Sequence, residues 1–308
     1  MNILVTGATG TIGRPLCTHL LNKRYVVSAL TQNKKSAAGI VDSRIRLIEW
    51  NPYSGEPDWT SCLTEGRIDA VVNLAGENLS KKRWSKAHKE RILKSRIAAA
   101  RTIVNAVREK KIAPHTLVNA SAVGYYGFHP DHVFTEDDSA GEGFLSRVCE
   151  EWETEAAKAG SFSVRVVRMR TGMVLSRDGG TLKEMLPVVK MNLGGYFGKG
   201  SQWFSWIHVD DMVRAIRYIL KNKDITGPVN MVSPEPATNK QFVKVIGKVL
   251  GKPTIFSIPR FIIWLRFGEM ADLLYKSQRA SPKRLLEAGF SFLYNDIEKA
   301  VEHLLGGN

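Results

Sequence analysis

The first group of residues that could do chemistry lies near the start of the chain. Three glycines spaced three residues apart follow a short apolar run and precede a helical pattern of leucines. In such a strand–turn–helix unit, glycines permit a tight turn, close approach of the backbone to a pyrophosphate, and close helix–strand packing. This context favours dinucleotide binding over a purely structural turn, with the helix amides facing the phosphates. The residues predicted to hold the phosphates are Gly7, Thr9, Gly10, Thr11, Ile12 and Gly13.

The residues after the second apolar run indicate which nicotinamide cofactor such a site would prefer. NAD sites usually place an acid there, which accepts a hydrogen bond from the adenosine 2′-hydroxyl. This chain instead has Thr31, Gln32, Asn33, Lys34 and Lys35, with two cations and no acid. We therefore predict NADP(H), whose 2′-phosphate the lysines would attract. The alternative is that both lysines lie in an exposed loop.

The ends of the fourth and fifth apolar runs could complete the site. Leu74, Ala75, Gly76 and Glu77 end the fourth run, and small residues there let a cofactor lie against the backbone. A simple strand-to-loop turn is the alternative for this segment. The fifth run leads to a serine that could bond a substrate carbonyl and to two tyrosines that could donate a proton. An aromatic pocket wall is an equally good interpretation of the tyrosines. The residues concerned are Ser121, Tyr125 and Tyr126.

Two groups of histidines and acids come later in the chain. His208 could contact a substrate, whereas Asp210 and Asp211 are better explained as caps of the helix that follows. The second group has no ligand spacing on a defined element, so we favour a solvated loop and predict no metal site. That group consists of His129, His132, Glu136, Asp137 and Asp138.

Apolar runs alternate with helical patterns through the first half of the chain, which predicts a doubly wound parallel α/β sheet. We predict a Rossmann domain over residues 1–172, to which segments near 207–232 return, and a smaller mixed lobe over 173–308 that is mainly helical from 239. The predicted strands are 3–5, 26–30, 44–49, 70–75, 116–120 and 164–167, and the predicted helices are 85–109, 144–158, 210–220, 239–250, 259–275 and 296–305.

The composition is that of an ordinary globular protein, with 308 residues, 44% hydrophobic and 24% charged. Three isolated cysteines without a CxxC pair favour a reducing compartment. The sequence shows neither a leader pattern nor an apolar stretch of bilayer length. We therefore expect a cytoplasmic protein with no membrane partner.

The net charge of +14 raises the question of nucleic acid. The densest basic cluster, residues 81–96, has helical spacing, so a solvated helix face is the better interpretation and nucleic-acid binding is the least favoured function. We expect a small-molecule substrate of unknown identity. A homodimer is one of the oligomeric states that the sequence allows.

Several longer motifs resemble one protein family. The segments TGATGTIG and NLAGEN, together with the serine after the fifth run, resemble the extended short-chain dehydrogenase/reductase superfamily in its epimerase branch. The block Gly194–His208 and the tail from Gly268 to Phe290 are similar to an atypical subgroup labelled "epimerase family protein", with its characteristic C-terminal domain. The similarity runs essentially from end to end.

The resemblance implies an NADP(H)-binding Rossmann domain. It places family binding positions on Thr31 and Gln32, where relatives often have arginine at the second position. Arg96 stands where the superfamily commonly has asparagine, and its guanidinium could reach a phosphate or a buried carbonyl. The remaining implied binding positions are Leu74, Ala75 and Val174.

The resemblance also exposes a departure in the catalytic machinery. The superfamily normally uses a Tyr-x-x-x-Lys pair on the helix after the fifth strand, but 144–153 contains neither tyrosine nor lysine. Two hypotheses follow. The first is an oxidoreductase or epimerase-like enzyme that acts on a small carbonyl or sugar-like substrate, with Ser121, Tyr125 and His208 handling protons. The second is a non-catalytic, NADP(H)-responsive protein that binds a protein partner.

Overall fold

The first half of the chain alternates strands with helices. The computed structural model describes residues 1–54, 58–63, 67–80 and 83–306, and of Arg266 only the backbone. The elements up to residue 157 are β1 (Asn2–Thr6), α1 (Gly13–Asn22), β2 (Val26–Thr31), α2 (Lys34–Ala38), β3 (Arg46–Glu49), β4 (Ala70–Asn73), α3 (Lys86–Arg108), β5 (Thr116–Ala122), β6 (Val133–Phe134) and α4 (Phe144–Ala157).

The second half contains shorter strands and more helix. One long strand and one strand of five residues join the central sheet, and the others form two-stranded pairs. The elements are β7 (Arg165–Thr171), β8 (Met173–Leu175), α5 (Gly180–Lys190), β9 (Gly195–Phe197), β10 (Trp203–Phe204), β11 (Trp206–His208), α6 (Val209–Lys221), β12 (Gly227–Met231), β13 (Ala237–Thr238), α7 (Asn239–Leu250), β14 (Phe256–Ile258), α8 (Arg260–Phe267), α9 (Asp272–Tyr275), β15 (Arg279–Ala280), α10 (Lys283–Glu287) and α11 (Ile297–Leu305).

The central sheet has seven strands in the order β12-β7-β5-β4-β1-β2-β3, and every neighbouring pair is parallel. The chain order reverses between β1 and β4, which is the topological switch point where doubly wound sheets bind ligands. The predicted Rossmann fold is confirmed. Because all seven strands are parallel, the loops after β1, β2, β4 and β5 lie along one edge of the sheet.

Apolar side chains from helices cover both faces of this sheet. On one face, Leu16 and Leu20 of α1 and Ile216 of α6 are fully buried against the strands. On the other face, Ile103 of α3 and Trp152 of α4 pack on the sheet. A separate core joins α5, α7 and α11 around Trp206 and forms the predicted, mainly helical C-terminal part.

Most predicted elements are present, and the differences have local causes. The third strand begins at Arg46 instead of residue 44, because the Asp42 carboxylate accepts the Arg44 amide and closes a turn at 2.9 Å. The fifth and sixth predicted strands continue to Ala122 and Thr171. The predicted helix 259–275 is broken at Gly268, whose φ is +60°. In the described ranges, we find no helix with the length and hydropathy that a bilayer crossing requires.

Candidate cofactor site and the polar cluster beside it

The loop between β1 and α1 needs glycine at two positions for steric reasons. Gly7 has φ +69°, and a Cβ there would lie 2.9 Å from the carbonyl carbon of Leu74. A Cβ at Gly13 would lie 2.1 Å from the Gly7 carbonyl oxygen. Gly10, which lies between them in the sequence, donates its amide to the Gly7 carbonyl oxygen at 3.0 Å. A Cβ at Gly10 would meet only this same oxygen, at 3.2 Å. The backbone of this loop is therefore compact and open on its outer side.

The start of α1 has the features of an anion site. No side chain caps the helix at Ile12, so no side-chain acceptor occupies its first amides. Thr9, Gly10 and Thr11 are exposed in front of it. An uncapped helix N-terminus next to a glycine loop presents amides and the positive end of the helix dipole to a phosphate. The arrangement fits the pyrophosphate of a dinucleotide.

A second loop lies against the glycine loop. Gly179, between β8 and α5, packs so close to Thr11 that a Cβ would come within 2.4 Å of its hydroxyl oxygen. Next to it, Arg14 and Asp178 form an ion pair at 2.8 Å. Val174 lies in β8 just before this loop and is half-buried.

The end of β2 presents both lysines to solvent. Asn33 caps α2 by accepting the Ser36 amide at 2.9 Å, which fixes Lys34 and Lys35 in the first turn of that helix. Gln32 is exposed, and Thr31 is half-buried. The parallel pairing of β2 with β3 places Thr31 opposite Glu49. Sequence reasoning missed this carboxylate because it comes from the neighbouring strand.

A buried chain of polar groups fixes the strand ends of β1, β4 and β5. The Thr6 hydroxyl donates to Asn73 at 2.6 Å and accepts the amides of Leu74 and Ala75 at 3.1 Å each. Asn73 in turn donates to Asn119 at 2.6 Å. These bonds fix the segment that the sequence predicts to lie against the cofactor.

Arg96 reaches from α3 into the loop after β4. Its guanidinium donates to the carbonyl oxygens of Glu77 and Ile92 at 3.1 and 3.0 Å, and the Glu77 amide donates to Ser95 at 3.0 Å. A Cβ at Gly76 would lie 3.1 Å from the guanidinium carbon, so glycine makes room for it. Burial lowers the pKa of Arg96. Within the described ranges Arg96 forms no ion pair with a carboxylate, although attraction from Cys149 and Glu77 acts against the lowering of its pKa.

Ser121 belongs to a buried ionic cluster that the sequence did not reveal. Its hydroxyl donates to the Glu153 carboxylate at 2.7 Å, and Arg170 binds both oxygens of the same carboxylate at 2.9 and 3.0 Å. Glu153 and Arg170 are almost fully buried, at 2% exposure each. Burial alone would lower the pKa of Arg170, but hydrogen bonds and attraction from Glu153 raise it. The guanidinium is therefore permanently charged.

The helix that normally carries the tyrosine–lysine pair carries a different pair at the same spacing. Cys149 and Glu153 stand four residues apart on α4 and face the end of β5. Burial raises the pKa of Cys149 to about 11, so the thiol stays protonated near neutral pH. Glu153 is already bound by Arg170, so the cluster contains a neutralised carboxylate in place of a free lysine ammonium.

The two tyrosines after β5 have different roles. The Tyr126 hydroxyl accepts a hydrogen bond from Arg170 at 3.0 Å and donates to Asn230 at 2.7 Å, and burial raises its pKa to about 12. Tyr125 is half-buried, and its ring lies 3.4 Å from the Arg170 guanidinium carbon. Of the pair, Tyr125 is the one that a substrate could reach.

His208 lies in a different environment from Ser121 and Tyr125. It is completely buried, stacks on Tyr294 at 3.9 Å between ring centroids, and caps α6 by accepting the Asp210 amide at 3.0 Å. Burial and the neighbouring His303 lower its pKa to about 3. The expectation that an aspartate caps this helix is corrected, because the histidine itself is the N-cap. The buried Asp211 carboxylate instead accepts the Leu293 and Tyr294 amides at 2.9 Å.

The hydrogen bonds of His208 also bear on metal binding. In the described part of the chain, one group of three has ligand atoms within 4.8 Å of one another: His208, Asp210 and His303. Because Nδ1 of His208 accepts a backbone amide, its ring proton resides on Nε2, which donates to His303 Nδ1 at 3.2 Å. Both nitrogens of His208 are thus engaged, and this geometry favours a helix cap over a ligand set.

The loop that follows β6 is only partly solvated. His132 and Asp138 bond to each other at 2.9 Å at the surface, and Asp137 pairs with Lys283 at 2.6 Å. Glu136, in contrast, is buried, and its carboxylate accepts the Asn230 amide at 2.9 Å. Burial raises its pKa. The expectation of a solvated loop is therefore corrected for this one residue.

The predicted basic helix face is partly neutralised. Lys81 and Lys82 lie outside the described residues. On α3, Lys89 pairs with Glu269, and Lys94 lies 3.6 Å from Glu90. Such pairs are typical of a solvated helix face.

Comparison with known proteins agrees with this geometry. Residues 3–232 match the model of the NAD dependent epimerase/dehydratase family, and residues 258–304 match a domain of unknown function. The chain belongs to this family. It is similar to an epimerase family protein of Mycobacterium bovis, with 39% identity over 97% of this chain and 96% of that protein. A chloroplastic epimerase family protein of Arabidopsis thaliana is 38% identical over 99% of this chain and 87% of its own length.

A solved structure of a relative covers the whole chain. The human epimerase family protein SDR39U1, crystallised with NADPH, superposes with a TM-score of 0.89 at 28% identity and full coverage of both chains. The resemblance to an atypical epimerase-branch subgroup is therefore confirmed.

Proposed function

We propose that this protein binds NADP(H) along the carboxyl edge of its parallel sheet and transfers a hydride to or from a small carbonyl or sugar-like substrate. The observation that carries the cofactor assignment is the uncapped start of α1 behind a sterically required glycine loop. The human relative crystallised with NADPH supports it. The proposed binding residues are Gly7, Thr9, Gly10, Thr11, Ile12, Gly13, Thr31, Gln32, Lys34, Leu74, Ala75, Gly76, Glu77, Arg96 and Val174.

The preference for NADP over NAD rests on charge at the end of β2. Lys34 and Lys35 are exposed in the first turn of α2, where their charges would attract a 2′-phosphate. Glu49 opposes Thr31 and is the carboxylate that would serve a ribose 2′-hydroxyl if NAD were preferred. Two cations against one acid favour the phosphorylated cofactor.

The proposed proton-handling residues are Ser121 and Tyr125. The nicotinamide would supply the hydride. Ser121 would orient a substrate hydroxyl and relay its proton toward Glu153, to which it is already bonded at 2.7 Å. Tyr125, on the Arg170 guanidinium, would donate a proton to a carbonyl oxygen. His208, which the sequence suggested as a third member, is assigned the role of a helix cap.

A second candidate function is a cofactor-responsive protein without turnover. The observation in its favour is that Arg170 binds both oxygens of the Glu153 carboxylate, so this carboxylate is already engaged within the protein. In this case the cofactor would order the C-terminal lobe beyond residue 173, and that lobe would bind a partner.

One experiment separates the two candidates. Purified protein is titrated with NADPH by calorimetry, and NADPH absorbance is then followed against aldehydes, ketones and nucleotide sugars. Turnover that is lost in Tyr125→Phe and kept in Tyr218→Phe supports the enzyme. Binding without turnover across the panel supports the responsive protein, and absence of binding contradicts both.

A further inference from the structure

A large part of the exposed apolar surface comes from one region of the C-terminal part. Among the described residues, 17 large apolar side chains are exposed, and nine of them fall within residues 188–193 and 255–265. We call these nine the apolar face. They are Val188, Met191, Leu193, Ile255, Phe256, Phe261, Ile262, Trp264 and Leu265, with exposures between 40% and 73%.

The elements that carry the apolar face are neighbours in the fold. β14 pairs with β9, and the register aligns Phe256 with Gly195, so the chain leaving α5 runs beside Ile255. α8 begins two residues after β14. Among the described side chains of α8, only Ile263 is buried, whereas four other apolar residues are exposed. A helix that exposes apolar residues on most of its surface requires a second surface to cover it.

The same region has an excess of positive charge. Residues 185–209 and 236–268 contain eight lysines and arginines and no aspartate or glutamate. Lys248 and Arg260 pair with carboxylates of neighbouring elements, and the other five lysines form no ion pair within the described ranges. Lys190 and Lys199 are exposed next to the apolar residues of α5 and β9. The surface that covers the apolar face must therefore tolerate or attract positive charge.

Charge argues against a second copy of this chain as the covering surface. A two-fold interface places the same patch on both partners, so the cations of one face would meet those of the other. Like charges so placed oppose association. An anionic surface with an apolar interior, in contrast, complements both properties of the face.

We propose that the apolar face docks on the surface of a bilayer that contains anionic phospholipids. Phe261, Trp264 and Leu265 would enter the boundary between headgroups and acyl chains, and the surrounding lysines would contact the headgroups. Aromatic residues favour this interfacial depth. The sequence prediction of no membrane partner rested on the absence of a spanning segment, and this proposal replaces it with peripheral contact. It does not depend on the proposed cofactor chemistry.

The test is sedimentation of the full-length protein with two kinds of vesicle, phosphatidylcholine alone and phosphatidylcholine mixed with phosphatidylglycerol. We expect binding to the mixed vesicles that weakens as salt is raised. Leu265→Ser should weaken it about tenfold, because the leucine side chain no longer leaves water on binding. The matched control is Leu293→Ser, which removes a leucine that is 59% exposed outside the face and should leave binding unchanged.

Circular dichroism and urea denaturation report whether each variant is folded. Four results would overturn the proposal: no sedimentation of folded protein with mixed vesicles, equal binding to both vesicle types, equal loss in Leu265→Ser and Leu293→Ser, or a solution dimer that Leu265→Ser dissociates. The last result would assign the face to a second copy.

Discussion

Among the single side chains, Glu153 is the residue on which the polar cluster beside the site depends. It is 2% exposed and is bonded by Ser121 and by both arms of Arg170. Removal of Arg170 takes two hydrogen bonds from this buried carboxylate and leaves Arg168, at 3.6 Å, as its remaining cation. Arg170→Met should therefore lower the free energy of unfolding by about 2 kcal/mol, measured by urea denaturation.

The control for this prediction is an ion pair at the protein surface. Arg147 and Glu151 on α4 lie 3.6 Å apart, and their side chains are 64% and 43% exposed. Arg147→Met should cost less than about 1 kcal/mol. Equal losses in the two variants would mean that Glu153 is reached by water and that the cluster is not a buried unit.

Cofactor preference is a second property of single residues. Replacing Lys34 and Lys35 by alanine should weaken NADPH binding about tenfold and leave NADH binding nearly unchanged, because only the former carries a 2′-phosphate. The control variant replaces Lys221 and Lys223, which are exposed at the end of α6. Calorimetry with both cofactors gives the comparison.

Glu49 provides the opposing test of the same claim. Glu49→Gln should not weaken NADPH binding, since a carboxylate next to a 2′-phosphate would repel that phosphate. If the wild type prefers NADH and Glu49→Gln removes that preference, then Glu49 is the ribose ligand and the assignment of NADP(H) is wrong.

At the level of elements, the start of α6 depends on a histidine that must stay neutral. The pKa of His208 is lowered to about 3 by burial and by His303, whereas an unfolded histidine has a pKa near 6.5. Below pH 6.5, His208 therefore binds a proton in the unfolded chain but stays neutral in the folded chain. The stability that His208 contributes is complete above pH 6.5 and falls by about 1.4 kcal/mol for each pH unit between 6.5 and 3.

This pH dependence can be measured without loss of the helix cap. Asparagine is a good N-cap and does not titrate, so His208→Asn should reduce the difference in unfolding free energy between pH 7.5 and pH 5. The control is Ser85→Asn, which changes the cap of α3 between two residues that do not titrate and should leave the difference as in the wild type. An unchanged pH dependence in His208→Asn would show that His208 is accessible to protons in the folded state.

The elements also show what the sequence could and could not predict. The periodicity of 85–109 predicted α3 to within one residue at each end, because Ser85 caps it and its apolar stripe is regular. The cluster of Ser121, Glu153 and Arg170 was missed, since its members come from β5, α4 and β7 and no local pattern links them. The capping of α6 was mispredicted because histidine is a rarer cap than the aspartates beside it.

The molecule as a whole has two proposed functional surfaces. One is the edge of the parallel sheet where its loops meet, and the other is the exposed apolar face of the C-terminal part. A ligand that binds only the folded state stabilises it by mass action. NADPH at about 100 times its dissociation constant should raise the unfolding free energy by about 2.7 kcal/mol, measured by urea denaturation. Mixed vesicles should raise the stability of the C-terminal part independently of NADPH.

The central claim of the proposed function is that the loop between β1 and α1 holds a dinucleotide by its backbone amides. Gly10→Asp tests it most directly, since a Cβ there meets only one carbonyl oxygen, at 3.2 Å, and the carboxylate would occupy the phosphate position. Its control is Gly39→Asp, at an open position. In calorimetry with NADPH, the account predicts binding by wild type and Gly39→Asp and none by a folded Gly10→Asp. Equal heats from all three proteins, or none from the wild type, would contradict it.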